Sequence, residues 1–194
     1  MEISIKDDLK QLSKTLNRVQ RKQIPFATSQ AINDVAFMAQ KELKSEAQIK
    51  LHNPTPFTLR GFRVNKATKA TMSGMVYVHP IVAAYLVKQI EGGTSGPTAV
   101  PVNIKLNKYG NIPNRRKGIV KTAKQFIGTY KGTYGVWETT KKGGGGSIKL
   151  LAAYHDKVVY KKIFDFYKIV NGVVRYNFNR QLEKRVKVAI ANAK

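Results

Sequence analysis

Apolar residues recur at helical spacing near both ends of the chain. Over 25–50 an alanine-rich stripe predicts the clearest helix, and its small side chains would allow a neighbour to approach closely. A shorter stripe predicts a helix over 7–21, and Pro25 either breaks that pattern or opens the second helix at its first turn. Over 163–190 a third stripe predicts a C-terminal helix, in which Asn171-Gly172 is a candidate break.

The middle of the chain alternates between apolar and polar positions. Residues 57–65 and 71–79 are predicted to be paired strands, 125–140 a hairpin with its turn at Lys131-Gly132, and 148–154 one more strand. Between them, 81–90 is predicted to be a short helix ended by Gly92-Gly93. The order predicts a single α+β domain over 1–194, in which a small, mostly antiparallel sheet is flanked by N-terminal and C-terminal helices.

Two stretches carry neither pattern and are predicted to be extended loops or arms, 94–124 and 141–147. The first could contain one short helix near 119–124, and the second contains a run of four glycines. Long loops in compact domains usually have a function, or become ordered when they bind.

The charge of the chain points to a polyanionic partner. The sequence has 35 Lys and Arg residues against 11 Asp and Glu, which gives a net charge of +24. Such a surface attracts nucleic acid, a membrane surface or acidic proteins; the alternative is a basic surface with no partner. No acid lies between Glu46 and Glu91, so the basic character belongs to the folded body. Because basic residues alternate with aromatic ones, we expect any contact with DNA to be to the backbone and independent of sequence.

Candidate contact residues lie in the two predicted arms. The candidates for contact with DNA or an acidic partner are Arg115, Arg116, Lys117 and Lys121. A possible assembly arm is formed by Lys108, Tyr109, Lys141 and Lys142. The alternative for both sets is a solvated basic loop.

The residues required for catalysis are scarce. Cysteine is absent, and His52, His79 and His155 each lack a second ligand at metal-binding spacing. No pair of acids suggests a carboxylate dyad, and the glycine run lacks the Lys-Ser/Thr ending of a phosphate loop. We therefore expect a protein without enzymatic activity, cofactor or metal. The sequence also predicts no signal peptide and no membrane span, so we expect no membrane partner.

Several stretches occur in an order typical of one family. They are IPFATSQAINDVAFMAQKEL over 24–43, NPTPFTLRGFRV over 53–64, LNKYGNIP over 106–113, the hairpin ending in GVWE at 138, and the basic helix over 178–193. This layout resembles the minor tail protein Z family, the tail-completion proteins of lambda-like siphophages, over nearly the whole chain. The glycine run over 143–146 has no match in that resemblance.

The resemblance implies a virion structural protein at the head–tail junction, assembled in the host cytoplasm. It implies a homo-oligomeric ring, for example a hexamer, that completes the head-proximal end of the tail. The implied partners are head–tail connector or portal-side proteins, tail terminator or tail tube proteins, and DNA in the channel. The alternative function is a soluble, sequence-independent nucleic-acid-binding protein acting in packaging or regulation.

Overall fold

The computed structural model describes residues 2–4, 18–113, 124–140 and 146–192. Its helices are α1 (Arg18–Lys50), α2 (Pro56–Arg60), α3 (Pro80–Glu91) and α4 (Phe166–Ala191). Its strands are β1 (Glu2–Ser4), β2 (Phe62–Asn65), β3 (Ser73–Val78), β4 (Gly93–Ser95), β5 (Thr98–Pro101), β6 (Gln125–Tyr130), β7 (Thr133–Thr139), β8 (Ile148–His155) and β9 (Val158–Tyr160). The chain divides into two compact units, one of 1–90 with 163–194 and one of 91–162.

The first unit joins the N-terminal and C-terminal helices to a small antiparallel sheet. The sheet has the strand order β1-β3-β2, and α1 contacts β2, β3 and α4. The alanine-rich stripe of α1 is buried, with Ala31, Val35 and Ala39 fully inaccessible to solvent. Because those side chains are small, α4 can approach α1 closely. The predicted α+β class, with helices from both ends flanking the sheet, is confirmed.

The helix predicted over 25–50 is present but begins earlier. It starts at Arg18, so Pro25 lies inside α1 and neither ends nor opens a helix, contrary to the sequence interpretation. A proline at this position removes one backbone donor. The packing of Ile24 and Ala27, both almost fully buried, favours continuing the helix across it. Most of the separate helix predicted over 7–21 lies outside the described residues.

The strand predicted over 57–65 is wrong in its first half. Pro56–Arg60 is a helical turn, because Thr55 Oγ1 accepts a hydrogen bond from the Thr58 amide at 3.1 Å and Pro56 occupies the first helical position. Only Phe62–Asn65 is a strand, and it pairs antiparallel with Ser73–Val78 as predicted.

The C-terminal helix does not break at Asn171-Gly172. Asp165 caps its start by accepting a hydrogen bond from the Lys168 amide, and α4 then continues to Ala191. Val170 before the glycine and Val173 and Val174 after it all belong to one apolar cluster. This tertiary packing outweighs the low helix propensity of Asn-Gly.

The second unit consists of two antiparallel sheets, ordered β5-β8-β7-β6 and β4-β9. The predicted hairpin and the following strand are confirmed as β6, β7 and β8. Lys131 and Gly132 form the hairpin turn with φ of 49° and 78°, as a two-residue primed turn requires. Val136, Leu151 and Ala152 form the buried centre.

The predicted arm over 94–124 contains more regular structure than expected. Thr94 and Ser95 belong to β4, which pairs with β9. Thr98–Pro101 forms β5, which pairs with β8. Residues 114–123, with most of the possible short helix, lie outside the described residues, as do 141–145 of the second arm.

Candidate polyanion-binding surfaces

The predicted contact residues fall in different parts of the molecule. Arg115, Arg116, Lys117, Lys121, Lys141 and Lys142 lie outside the described residues. Lys108 and Tyr109 are described and belong to the second unit. Of the eight predicted contact residues, the structure therefore describes two, Lys108 and Tyr109.

The Lys108-Tyr109 pair lies in a loop that its own side chains organise. Asn107 Oδ1 accepts hydrogen bonds from the amides of Tyr109 and Asn111 at 2.9 and 3.0 Å. Lys108 Nζ lies 5.0 Å from the centre of the Tyr109 ring. Lys108 is exposed, so its charge is held beside a ring and remains accessible to an anion.

A similar arrangement occurs in the first unit, where the β2–β3 connector crosses α1. Lys66 Nζ lies 5.5 Å from the centre of the Phe37 ring, and Lys69 Nζ lies 4.9 Å from that of Phe26. Phe26 is 41% exposed and Phe37 is 43% exposed. They are about three helical turns apart, so they lie on one face of α1. We call Phe26, Phe37, Lys66 and Lys69 the Phe–Lys surface.

The connector is fixed to α1 by one buried side chain. Asn33 Nδ2 donates to the Ala67 carbonyl at 3.0 Å, and Asn33 Oδ1 accepts from the Ala67 amide at 2.7 Å. Both residues are buried. The lysines on either side of Ala67 are therefore held at a defined place on the surface of the unit.

Helix α4 carries several exposed cations. Its exposed basic residues are Lys168, Arg175, Arg180, Lys184 and Lys187. Tyr176 is 86% exposed beside Arg175, which repeats the combination of ring and cation. Lys187 is paired with Glu183, and we call the other four the α4 cations.

Three described carboxylates are already paired with bases. Asp34 on α1 accepts two hydrogen bonds from Arg185 on α4, from Nε at 2.6 Å and from Nη2 at 2.8 Å. The hydrogen bond from Arg185 to Asp34 raises the pKa of the arginine. Glu46 pairs with Lys50, and Glu183 with Lys187, which lowers the pKa of Glu183 by hydrogen bonding and charge attraction. Because these acids are already neutralised by bases, they offer little negative charge to offset the other cations of the unit.

Sequence reasoning missed the Phe–Lys surface because Phe26 and Phe37 lie off the main apolar stripe of α1. Their positions outside that stripe were the available signal, since a large ring away from the core face must be exposed or covered by another segment. Lys66 and Lys69, in the connector between β2 and β3, are exposed.

Within the described ranges, no group of three His, Asp or Glu side chains could hold a metal ion, and no helix is long and apolar enough to cross a membrane. Comparison of the chain with protein-family models, curated proteins and solved structures finds no match.

Proposed function

We propose that this protein is a phage virion structural protein that completes the head-proximal end of the tail and joins it to the head. In this role its cationic surfaces contact DNA or acidic connector proteins without reading sequence. The observation that carries the proposal is the excess of unpaired cations on the first unit: the four α4 cations are exposed and have no partner acid among the described residues, while Asp34, Glu46 and Glu183 are already paired with bases.

Exposed cations on a firm scaffold suit an assembled particle. The Phe–Lys surface is fixed by the Asn33–Ala67 hydrogen bonds, and α4 by the bidentate Asp34–Arg185 pair. A ring of several copies would gather several times the charge of +24 around one channel. Phosphates or acidic subunits would neutralise that charge, and the aromatic rings beside the lysines add apolar contact.

The test replaces the predicted arm cations Arg115, Arg116, Lys117 and Lys121 with serine. The matched control replaces Lys41, Lys105, Lys149 and Lys157 with serine, which removes the same charge from scattered exposed positions. We expect both variants to fold, and only the first to reduce incorporation into particles and infectivity.

Particle composition is measured by mass spectrometry of purified virions and position by electron microscopy of the head–tail junction. Absence of the protein from mature particles, or multiple-turnover cleavage of DNA by the pure chain, would overturn the proposal. Equal incorporation of the two variants would remove the arm assignment alone.

The Phe–Lys surface also favours a second candidate, a soluble nucleic-acid-binding protein, since exposed rings beside cations can stack on bases. This function requires tight binding by the isolated chain. The logarithm of its affinity should fall with the logarithm of salt concentration, by about 0.7–0.9 for each phosphate contacted. The isolated tail-completion protein should instead bind DNA weakly, because its contacts are made by the assembled ring.

A further inference from the structure

A cavity of about 300 Å³ opens on the first unit among α2, the start of β2 and the start of α3. The residues that line it are Phe57, Arg60, Gly61, Arg63, His79 and Val82. None of them belongs to the Phe–Lys surface or to the α4 cations. Three of the six residues, Arg60, Arg63 and His79, have basic side chains, and none of the six is acidic.

The pairing of β2 with β3 brings Arg63 and His79 to one face of the sheet. Arg63 lies opposite Tyr77, and the His79 amide donates to the Gly61 carbonyl at 2.8 Å, which extends the pairing by one step. Because alternate residues of a strand face the same way, His79, two residues beyond Tyr77, lies on the face that carries Arg63. Phe62 lies on the opposite face and is fully buried.

Helix α2 contributes the other wall. Phe57 and Arg60 are three residues apart, so they lie on the same side of the turn. Thr58 Oγ1 lies 2.9 Å from the Tyr85 hydroxyl of α3 and 2.9 Å from Thr55 Oγ1, which fixes α2 to its neighbours. The wall is therefore held before any ligand arrives.

The close approach of α3 shapes the floor. A Cβ atom placed on Gly61 would lie 2.6–2.8 Å from the Val82 side chain, so only glycine fits there without displacing the helix. The floor thus consists of the Gly61 backbone and the Val82 side chain, and the basic side chains line the rest of the cavity.

We propose that this cavity binds a nucleoside phosphate, with the phosphate between Arg60 and Arg63 and the base against Phe57. Planar guanidinium groups match the oxygens of phosphate in pairs, and the His79 ring supplies a further N–H donor. Within the described residues, neither arginine has a carboxylate partner. Phe57 is 49% exposed and offers a flat apolar face that a bare anion does not need.

The size of the cavity supports this class of ligand. A volume of about 300 Å³ is at the lower end of the range for sites that hold an organic ligand, and exceeds what a lone phosphate fills. A free nucleotide and the terminal nucleotide of a nucleic-acid strand present the same chemistry. The inference goes beyond the proposed function, because it describes one saturable site and not a distributed surface.

The experiment titrates the full chain with AMP, with a 5′-phosphorylated trinucleotide and with inorganic phosphate, using calorimetry at physiological salt. The double variant Arg60→Ser/Arg63→Ser should weaken AMP binding by about tenfold or more, which corresponds to loss of one or two charge-assisted contacts. The matched control, Arg175→Ser/Arg180→Ser, removes the same charge from the α4 cations and should change AMP affinity by less than about twofold. Circular dichroism checks that both variants fold.

A second pair of variants tests the ring contact and the arginine geometry. Phe57→Leu should lower the affinity for AMP without changing the affinity for phosphate. Arg63→Lys should retain only part of the wild-type AMP affinity, because lysine keeps the charge but lacks the paired N–H donors of the guanidinium group. Tighter binding of the trinucleotide than of AMP identifies a strand end as the ligand, and equal binding identifies a free nucleotide.

Equal weakening by the two double variants would overturn the site, because it would show attraction to net charge alone. Binding of polyglutamate with the same dependence on Arg60 and Arg63 would also overturn it, in favour of an acidic protein. Either result leaves the proposed virion role intact. Conversely, absence of the protein from virions would overturn that role while leaving the cavity's affinity unchanged.

Discussion

Replacing Asn33 with alanine should destabilise the first unit more than its single side chain suggests. The Asn33 amide satisfies both backbone groups of Ala67, which is 6% exposed and lies in a connector without regular structure. The substitution therefore leaves one N–H and one C=O buried without their partner. Each such group costs about 1–3 kcal/mol.

The expected magnitude follows from opposing contributions. Two orphaned groups give about 2–6 kcal/mol, but Lys66 and Thr68 on either side of Ala67 are exposed, so water can reach the site and the lower half applies. Alanine also gains about 0.5 kcal/mol of helix propensity over asparagine. We expect Asn33→Ala to lower the free energy of unfolding by about 2 kcal/mol.

Urea denaturation followed by circular dichroism measures this change, provided that the slope of the transition is the same in both proteins. The matched control is Asn177→Ala, because Asn177 Nδ2 donates to the Val173 carbonyl within α4 at 2.9 Å. That carbonyl is already an acceptor in the helix, so the control should change stability by less than about 0.5 kcal/mol. A loss for Asn33→Ala no larger than that of the control would refute the argument that Ala67 depends on this side chain.

Three further predictions concern the sheet of the second unit and the ion pairs of the first. Gly135→Ala should lower the free energy of unfolding by about 1–3 kcal/mol, because its Cβ would collide with the Ala152 carbonyl oxygen. Gly128→Ala, on the paired strand, would place its Cβ 3.7 Å from the Phe126 ring and should be nearly neutral. Thermal melts of the two variants test this difference. A double-mutant cycle with Asp34→Asn and Arg185→Met should give a coupling of about 1–2 kcal/mol, between the values for exposed and buried pairs, and a coupling near zero would contradict the bidentate geometry. Lys187→Met should raise the pKa of Glu183 toward its ordinary value of 4.5, which NMR titration can measure. In the wild type, the stabilisation from this pair is fully present above pH 4.5 and is lost as the pH falls through the lowered pKa of Glu183.

The helices and the hairpin could be predicted because their signals are local. The stripe of α1 and the Lys131-Gly132 turn each depend on residues close in sequence. The failures at Pro25 and Gly172 have one cause, since both are helix-breaking residues inside segments whose neighbours are packed against the rest of the unit. Local propensity was the weaker influence there.

The turn at α2 is a different kind of failure. Thr55 followed by Pro56 is an N-cap residue followed by a proline at the first helical position, and this signal of a helix start was present in the sequence. The alternation of Phe57, Leu59 and Gly61 with polar residues suggested a strand instead. The true boundary is Gly61, where the backbone changes from helix to strand.

The cavity could not be predicted for the same reason. Arg60 and Arg63 are three residues apart, a spacing that would place them on one helical face if the segment were helical and on opposite faces if it were a strand. They line one cavity because the chain changes from helix to strand between them, and because the β2–β3 register brings His79 to the same face. That register depends on contacts between residues about 15 positions apart along the chain.

The segment Ala31-Ile32-Asn33, inside the 24–43 stretch that resembles the tail-completion family, has a structural explanation that limits what it says about function. Ala31 and Ile32 are fully buried, Ile32 packs so closely on β3 that a Cβ on Gly74 would lie 2.8 Å from it, and Asn33 holds the connector. These roles are structural, so the segment says little about which partner the protein binds. The proposed function therefore depends on features that the fold does not require. Exposed cations beside half-exposed rings are such features, because they contribute little to folding and repel one another until an anion is bound.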